Sequence, residues 1–71
     1  MAAIMTNLRV SQNKVQLEMA REGLNPYDLC SKAGISYASY RRIMKTGMCK
    51  IATLGNLSKA LGVDVTAILE E

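Results

Sequence analysis

The residues of this sequence that could do chemistry are cationic and aromatic, and they lie within one short stretch. In the segment 34–47, GISYASYRRIMKTG, Tyr37 is followed by Arg41, Arg42 and Lys45. A guanidinium group donates hydrogen bonds in a planar arrangement that fits anions and base edges, and an ammonium group supplies a mobile positive charge. This combination predicts binding to an acidic, hydrogen-bonding partner.

The charges around this segment have one sign. No aspartate or glutamate occurs from residue 29 to residue 63, whereas six lysines and arginines do, and the formal net charge of the chain is +3. A one-signed charge over half of a chain is typical of proteins that bind polyanions. A solvated basic face without a partner is the alternative that charge alone leaves open.

The sequence offers little for catalysis or for metal binding. Histidine is absent, Cys30 and Cys49 do not form a C-x-x-C pair, and no nucleophile elbow or phosphate-binding glycine loop occurs. We therefore expect no enzyme, no cofactor and no metal. Two isolated cysteines without a signal peptide predict reduced thiols in a cytoplasmic protein, with Cys30 buried and Cys49 in a loop. No apolar run is long enough to span a membrane, so no membrane partner is expected.

Glycines and capping residues divide the chain into five predicted helices. Asn25 before Pro26 has the form of a helix start, because an asparagine caps well and proline is tolerated at the first helical position. Each of the first four helices is predicted to end at a glycine: Gly23, Gly34, Gly47 and Gly62. Gly55 lies inside the fourth helix, where a close helix crossing would explain it.

The predicted helices cover residues 11–22, 26–33, 36–46, 51–61 and 64–70, and their apolar residues recur at helical spacing. Residues 1–10 form a lead-in that is either disordered or extended. Residues 11–71 then form one domain, and we expect an all-α, compact five-helix bundle.

Only residues 34–36 separate the second and third predicted helices. A link that is this short and begins with glycine predicts the steep crossing of a helix-turn-helix unit. At 100° per residue, one face of the third helix carries the residues expected to be buried: Ser39, Tyr40, Ile43 and Met44. The opposite face carries Tyr37, Ala38, Arg41, Arg42 and Lys45. Such a face is suited to the major groove of duplex DNA, which admits a helix and presents acceptors to arginine and methyl groups to small side chains.

Several short motifs point to one family. They are Leu24-Asn25, Leu29-Cys30, Ala33-Gly34-Ile35-Ser36, Ile43 with Gly47, and the tail LSKALGVDVTAIL at residues 57–69. On these residues the chain resembles, from Leu24 to Leu69, the Xre-like family of helix-turn-helix regulators, which includes the lambdoid phage repressors and Cro proteins. The resemblance implies a five-helix DNA-binding domain, often a dimer on palindromic operators.

The resemblance also implies roles for individual residues. The positions that read bases in the family correspond here to Ser36, Tyr37, Ala38, Arg41 and Arg42. The positions that touch phosphates correspond to Tyr27, Lys45, Lys50 and Arg9. The chain departs from the family at Pro26, where a phosphate-binding glutamine is common, and at Tyr40, where an aliphatic residue is usual. The Tyr40 ring can fill the core only if its hydroxyl reaches water or a partner.

These observations predict a sequence-specific DNA-binding transcriptional regulator of the repressor type, with helix 36–46 in the major groove. Two alternatives stay open: a protein-binding module of the kind found in antitoxins or mobile-element regulators, and a non-specific architectural DNA binder. The expected partner is double-stranded DNA. A homodimer is also left open, because Ile68 and Leu69 suit either a subunit contact or the last layer of the core.

Overall fold

The structure is a computed structural model, and it describes residues 7–70. Its elements are, in chain order, β1 (Asn7–Arg9), α1 (Gln12–Glu22), α2 (Pro26–Ala33), α3 (Tyr37–Thr46), β2 (Met48–Lys50), α4 (Ile51–Leu61) and a 3-10 turn (Val65–Ala67). The described part is mostly helical, which confirms the helical fold class. The bounds of the four α-helices differ from the predicted ones by at most one residue.

The fifth predicted helix, 64–70, is wrong. Asp64 acts as the predicted cap, but regular helical geometry is limited to the 3-10 turn Val65–Ala67. Leu69 instead forms an isolated antiparallel bridge with Val10. The segment leaves helical geometry because its backbone bonds to residues that precede α1. Within residues 7–70 the bundle therefore has four α-helices and one 3-10 turn.

A short antiparallel ribbon of β1 and β2 is the second difference from the expected all-helical architecture. Asn7 lies opposite Lys50, and Arg9 lies opposite Met48. The lead-in predicted for residues 1–10 is extended over β1, and residues 1–6 lie outside the described residues. The ribbon joins the chain before α1 to the segment that follows α3.

The core contains side chains from every helix. Its largest fully buried side chains are Leu29, Leu57, Leu61, Ile68, Val10 and Val15. The apolar residues predicted to form the core at helical spacing are confirmed as buried in three helices: Val15 and Met19 in α1, Leu29 and Ala33 in α2, and Leu54, Leu57 and Leu61 in α4. Helix α2 packs most extensively on α4. Ile68 is fully buried and Leu69 is half-buried against this core, so this pair belongs mainly to the last core layer.

Both cysteines are free and buried. The prediction for Cys30 is confirmed, whereas the prediction that Cys49 is a loop thiol is wrong, because Cys49 lies in β2 with 3% of its surface exposed. Burial raises the pKa of both thiols. A thiol with a raised pKa has little of the reactive thiolate at neutral pH.

The explanation for Gly55 by a close helix crossing is also wrong. A Cβ atom built on Gly55 would meet no atom of another element within 4 Å. The position therefore has room for a methyl group, and the glycine raises the entropy that the chain loses on folding.

Gly55→Ala is accordingly expected to raise the free energy of unfolding by about 0.5–1 kcal/mol, because alanine is the better helix former and finds open space. Urea denaturation followed by circular dichroism would measure the change. A loss of stability would contradict this account, since it would require the added methyl group to meet an obstacle.

Candidate nucleic-acid interface

The conformation of the link between α2 and α3, residues 34–36, is set by residues within the link and beside it. Gly34 ends α2 with a φ of +71°, a left-handed conformation that glycine adopts without steric cost. Ile35 is half-buried against the core, as expected for an apolar residue in the turn. Ser36 then caps α3, because its Oγ accepts a hydrogen bond from the Ser39 N–H at 3.1 Å. Its hydroxyl, predicted to read bases, also donates to the Ser39 Oγ at 3.0 Å and so serves the helix start.

One face of α3 is anchored in the core. Tyr40 and Ile43 are buried, and Ser39 and Met44 are half-buried. The Tyr40 hydroxyl donates to the Sδ atom of Met19 at 3.8 Å. The Tyr40 hydroxyl therefore has the partner that it needs for its ring to fill the core.

The environment of Tyr40 keeps its hydroxyl neutral. Burial is the main cause that raises the pKa of Tyr40, and the neighbouring Cys30 and Tyr37 raise it further. A neutral hydroxyl can donate to sulfur, whereas a buried phenolate would lack a partner charge. Tyr40 and Ile43 turn this face of α3 inward, and the bond to Met19 gives the Tyr40 hydroxyl a partner there.

The opposite face of α3 is open to solvent. All five residues predicted there are exposed: Tyr37, Ala38, Arg41, Arg42 and Lys45. Within residues 7–70, the carboxylates that form ion pairs do so with Arg9 and Arg21, and none pairs with a cation of α3. The positive charge of this face is therefore not neutralised within the described part of the chain.

A groove of about 670 Å³ runs along this helix. Its lining combines aromatic, apolar and cationic side chains: Pro26, Tyr37, Tyr40, Arg41, Arg42, Met44 and Lys45. We did not predict a groove, because it forms only where the first residue of α2 comes beside α3. The periodicity of one helix cannot reveal such a combination.

Three tyrosines stack beside this groove. The Tyr27 and Tyr37 rings have centroids 4.7 Å apart and planes 18° apart. The Tyr37 and Tyr40 rings have centroids 5.9 Å apart and planes 26° apart. We refer to Tyr27, Tyr37 and Tyr40 as the tyrosine stack. It runs from the buried Tyr40 to Tyr27, whose surface is 65% exposed.

The first turn of α2 is less open to an anion than its position suggests. Pro26 has no N–H, and the Asp28 N–H already donates to the Asn25 Oδ1 at 2.8 Å. The Asp28 carboxylate in turn accepts the Asn25 N–H at 3.3 Å, which completes a capping box and adds a negative charge. The phosphate contact of Tyr27 therefore stays a prediction.

The remaining two predicted phosphate-binding residues lie in different surroundings. The Arg9 Nη1 donates to the Thr46 carbonyl at 3.1 Å, at the C-terminal end of α3. The Arg9 Nε also lies 3.7 Å from the Glu70 Oε1. This arginine therefore already satisfies a helix-end carbonyl, although its side chain is 59% exposed. Lys50 is exposed at the junction of β2 and α4.

Within the described residues, no group of three or more histidine, cysteine, aspartate or glutamate side chains could hold a metal ion. None of the helices in that same range has the length and apolar character needed to cross a membrane.

Comparisons with protein-family models, with curated proteins and with solved structures found no match to this chain. The similarity to Xre-like regulators therefore stays a prediction from the motifs. The function has to follow from the shape and charge of α3 and its surroundings.

Proposed function

We propose that this protein is a sequence-specific regulator that binds duplex DNA by placing α3 in the major groove, in the manner of Xre-like helix-turn-helix proteins. The observation that carries the proposal is the exposed face of α3, whose cations have no acidic partner within residues 7–70. A protein surface of this kind gains most from a partner that is both polyanionic and rich in hydrogen-bond acceptors.

The side chains of this face suit different parts of a duplex. Arg41 and Arg42 can each donate two hydrogen bonds to the O6 and N7 atoms of a guanine, and Ala38 can meet the methyl group of a thymine. Lys45 carries a flexible point charge in the last turn of α3, which suits a phosphate better than a base edge. Base contacts would supply specificity, and phosphate contacts would fix the position on the duplex.

The experiment that tests this function is the selection of bound sequences from random duplex DNA at a stated salt concentration of about 0.15 M. A regulator should enrich one motif and bind it about a thousandfold or more tightly than random duplex. Binding without any preferred sequence would instead favour the architectural role, and no binding would favour a protein-binding module.

We expect Arg42→Ala to weaken binding to the selected site by about 1–3 kcal/mol and to relax the base preference at one position. The reason is the loss of a bidentate contact that the alanine cannot replace. Fluorescence anisotropy with selected and random duplexes would measure both affinities.

Two further variants serve as controls. Arg42→Lys keeps the charge but loses the planar pair of donors. It should therefore bind random duplex as the wild type does, but it should not restore the base preference. Lys59→Ala removes the same charge from the last turn of α4 and should leave the ratio of the two affinities unchanged. An equal loss on both duplexes for Arg42→Ala would show that this arginine contacts only phosphate.

A further inference from the structure

The tyrosine stack connects two predicted contact residues that the sequence treats as independent. Tyr27 belongs to the first turn of α2, and Tyr37 is the first residue of α3. Their rings are nearly parallel with centroids 4.7 Å apart, within the range of a favourable offset stack. The orientation of the Tyr37 ring is thus set in part by a residue from another helix.

We propose that Tyr27 is a positioning residue that orients Tyr37 for reading a base, so that sequence preference at one position of the DNA depends on a side chain of α2. The inference rests on the proposed function. It assigns to Tyr27 a role that acts through Tyr37 rather than through a phosphate.

The inner end of the tyrosine stack lies in the core. Tyr40 is 8% exposed, and its hydroxyl is bonded to Met19 in the core. Tyr37 stacks on this buried ring with centroids 5.9 Å apart. Tyr37 therefore has one buried ring neighbour, Tyr40, and one exposed ring neighbour, Tyr27.

Two members of the tyrosine stack belong to the groove. Tyr37 and Tyr40 line the groove along α3, whereas Tyr27 does not. Tyr27 therefore contacts a residue of the groove lining without lining the groove itself. A ring in this position affects what enters the groove by holding Tyr37 in place.

The tyrosine stack also reduces the entropic cost of binding a base. A tyrosine that is free to rotate loses conformational entropy when it is fixed against a base, and a stack that already fixes it removes this loss before binding. Aromatic pairs are stabilised by an amount that corresponds to about a 2- to 12-fold change in an equilibrium constant. Loss of the stack should reduce cognate affinity by up to that factor, with little effect on random duplex.

The experiment is a double-mutant cycle read as the ratio of affinities for the selected and a random duplex at one salt concentration. Its variants are Tyr27→Phe, Tyr27→Ala, Tyr37→Ala and Tyr27→Ala with Tyr37→Ala. Partial unfolding lowers both affinities by the same factor, so the ratio does not respond to a merely structural role of Tyr27.

The proposal predicts that Tyr27→Phe, which keeps the ring and loses the hydroxyl, retains the ratio. Tyr27→Ala should lower it about 2- to 12-fold. The double variant should lose no more than Tyr37→Ala alone, because Tyr27 acts only through Tyr37.

Two outcomes would overturn this role for Tyr27 while leaving the proposed function intact. One is additivity of the losses from the two alanine variants. The other is a loss for Tyr27→Phe that equals that of Tyr27→Ala on both duplexes, which would identify the hydroxyl as a phosphate contact. A wild-type protein without any sequence preference would overturn both proposals.

Discussion

Leu29→Ala is expected to lower the free energy of unfolding by about 2–5 kcal/mol, because truncation of a buried leucine loses transfer free energy and leaves a cavity. The Leu29 side chain is 0% exposed, and it belongs to α2, which packs most extensively on α4. A chain of this length has a total stability of about 4–10 kcal/mol. The variant should therefore be largely unfolded at modest urea concentrations.

A matched control is Leu17→Ala in α1. Its side chain is 61% exposed, so the same truncation removes little buried surface and should change the stability by no more than about 0.5 kcal/mol. Urea denaturation followed by circular dichroism would compare the two variants. Similar losses from both would show that Leu29 is not a central residue of the core.

Gly47→Ala is expected to lower the free energy of unfolding by about 2–5 kcal/mol, because two separate costs add. Gly47 ends α3 with a φ of +76°, a conformation that costs a non-glycine residue about 1–2 kcal/mol. An added Cβ would also lie 3.3 Å from the Val10 carbonyl oxygen and 3.3 Å from the Arg9 Nη1. The arginine can move, but the Val10 backbone is held, because its N–H donates to the Gly47 carbonyl at 2.7 Å. Overpacking of this kind costs a further 1–3 kcal/mol or so.

Gly23→Ala separates these two contributions. Gly23 has a φ of +69°, nearly that of Gly47, but an added Cβ would meet no atom within 4 Å. The loss of stability for Gly23→Ala should therefore reflect the backbone conformation alone, about 1–2 kcal/mol. Thermal and urea denaturation of both variants would give the difference. Equal losses would mean that the contacts around Gly47 yield without cost.

The helices could be predicted because their signals are local. Asn25 and Ser36 cap the helices that follow them, and Gly34 and Gly47 end the helices that precede them, each through contacts within a few residues. The one-residue error at the start of α3 has the same origin, since Ser36 is its cap and not its first residue.

The ribbon and the end of the chain could not be predicted in the same way. The strand Asn7–Arg9 is too short to show alternation, and its partner Met48–Lys50 lies far along the chain. Likewise, the sequence 64–70 has a cap and an apolar pair that suit a helix. Its backbone instead bonds to Val10 and its neighbours, a tertiary contact that local propensity does not contain.

The candidate interface could also be predicted only in the part that depends on local sequence. The exposure of Arg41 and Arg42 followed from helical periodicity, which the structure confirms. The stacking of Tyr27 on Tyr37 requires the placement of α2 beside α3, and the contact of Arg9 with the end of α3 requires the ribbon. Both depend on packing between segments distant in sequence.

Residues 9–11 and residues 68–70 lie side by side and are joined by backbone hydrogen bonds. Besides the bridge between Val10 and Leu69, the Ser11 N–H donates to the Ile68 carbonyl at 2.8 Å, and the Glu70 N–H donates to the Arg9 carbonyl at 3.1 Å. The two segments depend on each other, because removal of one would leave backbone hydrogen-bonding groups of the other without partners. Within the described residues, the segments 9–11 and 68–70 are held side by side, an arrangement that favours circular permutation with new termini at exposed turns.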